Sequence, residues 1–157
     1  KESGAERVFL TSTTHGAEMC GMGAFVETIK VYRQQNVVEH LWNYGEKLIN
    51  GMNAIACELG VAENFNVCGI PCSPNYLTKD KNGEVSMGLR TLFSQEMIKN
   101  GVLMPWIAIS LAHGEAELEK TLEATRKSLQ VYARAVVDGY EKYLQGEVIK
   151  PVFRKYN

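Results

Sequence analysis

The sequence is poor in the features that mark several protein classes at once. Its 157 residues hold four cysteines (Cys20, Cys57, Cys68 and Cys72), too few and too unevenly spaced for a disulfide framework. Free thiols in a reducing, cytoplasmic setting are expected. Pro71 and the apolar neighbours of Cys68 and Cys72 predict that these two are buried structural thiols. Together with His15, His40 and His113 they match no zinc or iron–sulfur spacing, so no metal is expected. An excess of either charge is also missing, since 17 Lys and Arg stand against 18 Asp and Glu for a formal net charge of -1. Without a basic run, neither nucleic acid nor an anionic membrane surface is an expected partner. No apolar stretch approaches the roughly 18 residues of a membrane span, and no signal peptide is visible. Walker and dinucleotide-type glycine loops and the G-x-S-x-G elbow are absent as well, which removes the commonest signatures of nucleotide binding and serine hydrolysis.

What is present reads as an ordinary folded domain, 45% hydrophobic and 22% charged. Val8 to Thr13 is β-branched and aromatic, and predicts a short strand ended by Gly16. A helix from about Ala17 to Gln34 follows, with Met19, Met22, Phe25, Val26, Ile29 and Tyr32 on one face, predicted to be buried. Its small-residue patch, Gly21, Gly23 and Ala24, predicts close approach of another backbone, because each interior glycine costs about 1 kcal/mol against alanine. Asn36 and Glu39 read as a capping box opening a second helix that Gly60 stops. Short extended segments at 65–68 and 75–78 precede a turn at Asp80–Gly83. A helix from Met87 to Asn100 is stopped by Gly101, strands are expected at Val102–Met104 and Ile107–Leu111, and a long helix runs from Glu115 to about Leu144. This order predicts an α/β, two-layer arrangement, a small antiparallel sheet with helices on one face, with a boundary near Gln35–Asn36.

One junction carries chemistry. Ser12, Thr13, Thr14, His15 and Gly16 place three hydroxyls and a glycine where a strand meets a helix. Hydroxyls and free N–H groups at a helix N-terminus form a local anion site, and simple N-capping by Thr13 or Thr14 accounts for them equally well. His113, between a strand and a helix, is expected to satisfy a local backbone group.

The run Val8 to Glu18 resembles the segment following the cofactor-bearing lysine in class III aminotransferases, nearest to glutamate-1-semialdehyde 2,1-aminomutase-like proteins. The similarity continues through Asn36–Trp42, Gly45–Leu48, Asn100–Pro105, Ala112–His113 and Glu119–Ala124, in the same order. The resemblance implies a fold-type I enzyme that uses pyridoxal 5′-phosphate (PLP), works as a homodimer and acts on a small-molecule amino donor and acceptor. Residues 1–35 would end the large PLP-binding domain, 36–145 would form the C-terminal small domain and 146–157 a tail. Position by position, the resemblance implies that Ser12 and Thr13 bind the cofactor phosphate of the neighbouring subunit. It places His15 and Gly16 beside the active-site entrance. No catalytic residue is expected here: the Schiff-base lysine would lie upstream of Lys1, so the chain, which opens without Met, is expected to be a C-terminal portion inactive alone. Between Pro105 and Ile107 only Trp106 stands, where the aminomutases carry a longer segment near the substrate. Trp106 is therefore a substrate-side candidate, and a related amino aldehyde or amino sugar remains open beside glutamate-1-semialdehyde. The alternative reading is a non-catalytic α/β module for dimerisation or small-ligand binding.

Overall fold

Helix stops, turn residues and apolar periodicity set the elements in the computed structural model, which describes residues 18–150. In chain order these are α1 (Met19–Gln34), α2 (Val37–Glu58), β1 (Phe65–Ile70), β2 (Ser73–Thr78), α3 (Met87–Lys99), α4 (Glu115–Asp138) and a 3₁₀ turn (Tyr140–Lys142). The chain divides into two compact units, 1–37 and 38–157.

In the first unit, α1 forms as its spacing demands, but none of its residues is buried, and Met19, Phe25 and Val26 are more than half exposed. Gly23, expected to admit a neighbouring backbone, has no atom within 4 Å of its would-be Cβ. Periodicity names the face a helix can bury; burial itself requires an opposing surface, which the described residues of this unit do not supply. Asn36 does not cap α2. Its φ of 48° lies in the left-handed region, which Asn tolerates better than most residues, whereas an N-cap is extended. It follows Gln35, the C-cap of α1.

The second unit packs helices against a two-stranded antiparallel hairpin, with Val67 opposite Tyr76. Side chains alternate along β2, so that Pro74, Tyr76 and Thr78 turn inward while Ser73, Asn75 and Leu77 turn out. Phe65 centres the core, 4.7 Å from the ring of Phe93, 5.9 Å from Tyr132 and 6.0 Å from Tyr76. Leu48, Met52 and Ile55 of α2, Leu89, Leu92 and Met97 of α3, and Leu118 and Leu129 of α4 complete it. The two outer edges of the hairpin are closed by side chains. The Asn53 amide donates to Val67 O and accepts from Val67 N–H, both at 2.8 Å, as a paired strand would. On β2, Arg90 donates to Tyr76 O at 2.8 Å and lies 4.2 Å above that ring, while Asn75 Oδ1 takes the Tyr76 N–H. Tyr132 O–H donates to Asn64 O at 2.7 Å, just ahead of β1.

Two glycines are fixed by close approach. A Cβ at Gly45 would stand 1.7 Å from the carbonyl oxygen of Pro71, in the hairpin turn, and one at Gly88 would stand 2.3 Å from the ring of Tyr140. The cysteines are free, but Cys20, Cys57 and Cys68 are exposed and Cys72 is half-buried, so the expected burial of Cys68 and Cys72 is corrected. Cys68 sits on the outward face of β1, where strand alternation turns it to solvent.

Two further expectations change. Val102–Met104 and Ile107–Leu111 form no strand or ladder. Pro105 lacks an N–H, and the carbonyls of Met104 and Pro105 are taken by Tyr76 O–H (3.4 and 3.1 Å), with Arg90 also reaching Pro105 O. α4 stops at Asp138 because Gly139 adopts a φ of 92°, and 140–142 continue as the 3₁₀ turn. No helix among the described residues is long and apolar enough to cross a membrane.

Candidate functional site

Between α2, the run after α3 and the start of α4 lies a cleft of about 300 Å³. Tyr44 of α2 enters it from the core side, as the middle ring of a stack with His40 (centroids 6.0 Å apart) and His113 (5.7 Å). Leu103 and Trp106 line it from that run and are 79% and 66% exposed, large apolar surface rarely left in the open without a use. Glu117 and Lys120 enter from α4, one helical turn apart.

Local geometry prepares each polar group. His113 Nδ1 accepts the N–H of Ser110 at 3.2 Å, the backbone role expected of it, which leaves the neutral ring's proton on Nε2. Glu117 folds back onto the N-terminus of its own helix and accepts the Gly114 N–H at 2.8 Å. That bond, aided by His113 and Lys120, holds its carboxyl below the usual carboxylate range. Burial, then the charges of Glu117 and Glu115, push the Tyr44 phenol up, so it stays protonated at neutral pH. At one mouth of the cleft, Gly101 has a φ of 79°, and the Lys120 ammonium lies 3.8 Å from its would-be Cβ. The arrangement offers hydrogen-bond donors, one ionised acceptor and an apolar remainder.

Of the residues singled out from sequence, Trp106 lies in this cleft. Ser12, Thr13, His15 and Gly16 lie outside the described residues. Tyr44, Glu117 and Lys120 were not singled out, because they come from two separate helices and no short motif joins them. The Gly114-x-x-Glu117 spacing, a cap signal, was the one local clue to Glu117.

No protein-family model matches the chain. It is 26% identical over 131 residues to the glutamate-1-semialdehyde 2,1-aminomutase of Clostridium tetani, covering 76% of this chain and 31% of that protein. With the same-named protein of Archaeoglobus fulgidus it is 30% identical over 119 residues, covering 65% and 27%. The Sphingopyxis FumI protein, solved in its PLP internal aldimine form, superposes with a TM-score of 0.64 at 22% identity, covering 74% of this chain and 28% of that one. The chain thus spans less than a third of the length of each of these proteins. Every described lysine is exposed or half-buried, so the described residues alone do not fit a PLP site, which needs a lysine sequestered from water. The comparisons agree on one point: by sequence the chain is similar to a portion of two glutamate-1-semialdehyde 2,1-aminomutases, and by fold to a portion of the FumI protein.

Proposed function

We propose that this chain is the C-terminal part of a cytoplasmic, PLP-dependent aminotransferase or aminomutase. It moves an amino group on glutamate-1-semialdehyde or on a related amino aldehyde or amino sugar. The observation that carries the reading is the agreement of two independent comparisons, by sequence and by fold, on PLP-related proteins of which this chain matches one portion. In this reading residues 1–35 finish the PLP-binding domain, 36–145 form the small domain and 146–157 the tail. The enzyme is a homodimer in which Ser12 and Thr13 hold the cofactor phosphate of the neighbouring subunit. His15, Gly16 and Trp106 face the substrate. The lysine that holds PLP belongs to other polypeptide, and the chain is inactive alone.

The test measures PLP affinity and glutamate-1-semialdehyde conversion in a polypeptide that joins this chain to the remainder its relatives possess. Thr13→Val, which removes one hydroxyl donor to a phosphate, is expected to weaken PLP binding about tenfold, or about 1.4 kcal/mol. A PLP imine absorbance band, or amino transfer, from the isolated 157-residue chain would overturn the reading.

A further inference from the structure

The hydroxyl of Tyr44 has nothing to do inside the protein. The residue is only 8% exposed, yet its O–H makes no hydrogen bond to any described residue, and it lines the cleft. The ring is held by the core while the hydroxyl is left open to the cleft. Its neighbours offer the same kind of group. His113 presents Nε2–H, since its Nδ1 is occupied by the Ser110 N–H. Lys120 forms no ion pair among the described residues and holds its ammonium over Gly101. Three donors, one of them cationic, therefore serve one small cleft. The acidic side chain lining the cleft with them is Glu117, held at the start of α4 by the Gly114 N–H and its own N–H.

That balance selects a ligand. A simple anion would satisfy the donors but leave the Glu117 charge facing it, and a simple amine would leave the donors unused. A molecule carrying both charges answers both. We propose that the cleft binds a small amino carboxylate with an aromatic or apolar side chain. The carboxylate takes Tyr44 O–H, His113 Nε2–H and Lys120, the ammonium takes Glu117, and the side chain covers Leu103 and Trp106. A volume of about 300 Å³ stands at the lower end of small-ligand pockets, which suits a single amino acid. The inference goes beyond the amino-transfer reading, because binding is a property of this chain without PLP.

The experiment titrates the 157-residue chain with three probes, L-phenylalanine, 3-phenylpropanoate and phenethylamine, followed by calorimetry and by amide shifts at Gly101, His113 and Lys120. L-Phenylalanine is expected to bind at least tenfold more tightly than either probe lacking one charge. Tyr44→Phe and Lys120→Met are each expected to weaken it at least fivefold, while Lys142→Met, exposed and outside the cleft, leaves it unchanged. Both cleft variants keep the fold, since one removes only an unpaired hydroxyl and the other an exposed side chain. Equal affinity for the three probes, no saturable binding of L-phenylalanine, or binding indifferent to Tyr44→Phe and Lys120→Met would overturn the proposal. Any of these failures leaves the amino-transfer reading standing, because that reading is measured on PLP.

Discussion

The β1–β2 hairpin and the run from Val102 to Ser110 are built from similar residues and end in opposite conditions. In the hairpin, each strand pairs with the other, and the outer edges are closed at Val67 by Asn53 and at Tyr76 by Arg90 and Asn75. In the run, Met104 and Ile107 are buried and Leu103 and Trp106 exposed, but among the described residues the carbonyls of Met104 and Pro105 are met by Tyr76 and Arg90 rather than by a strand. Apolar chain therefore serves two ends. Closed by partners it carries the core; left open beside α4 it lines a cleft. A segment that spends its hydrogen bonds on structure has none left for a ligand.

The contrast can be broken from the hairpin side first. Gly45→Ala is expected to be the most damaging change, costing about 3 kcal/mol, because the new methyl meets backbone at Pro71 that cannot rotate away; denaturant unfolding measures it. A midpoint equal to wild type would mean that the hairpin turn is not held against α2. Asn53→Ala removes two bonds and opens the β1 edge, for an expected loss of about 2 kcal/mol by the same measurement. It should also raise hydrogen exchange at Val67 toward that of the open run, which would erase the difference between the two regions.

Tyr132→Phe sharpens the comparison through pH. Burial holds the Tyr132 proton on well above the ordinary tyrosine value of 10.0. A folded value above the unfolded one stabilises fully below pH 10 and loses that contribution as pH rises from there through the folded value. The variant is expected to cost about 1 kcal/mol at neutral pH and to flatten the alkaline decline seen in the parent chain. An unchanged alkaline slope would mean that Tyr132 is not sequestered beneath the hairpin. Trp106→Ala should do least, shifting stability by less than about 0.5 kcal/mol, since the ring is 66% exposed. A larger loss would show that the open run is held as firmly as the strands.

The elements whose ends depend on local chemistry were readable from residues alone. Gly60, Gly83 and Gly101 all take positive φ where a helix stop or turn was expected. What failed depended on partners distant in sequence. Alternation at 102–111 announces extended chain but not whether a ladder exists, since Tyr76 and Arg90 claim the carbonyls from other elements. The end of α4 turned on Gly139, one glycine inside a continuous apolar stripe, and the stripe argued the other way. Asn36 reads as an N-cap, and its left-handed φ of 48° overturns that reading. The cleft was the least legible part. Tyr44 reads as one more aromatic in α2, and only the tertiary fold sets it beside His113 and one turn of α4.

The contact between Gly88 and Tyr140 bears on the history of the chain. With the ring 2.3 Å from where a methyl would stand, any side chain at position 88 requires the Tyr140 ring to move aside. Homologues that acquire any side chain at position 88 should be found with a smaller residue at position 140, or with the tail of α4 rerouted.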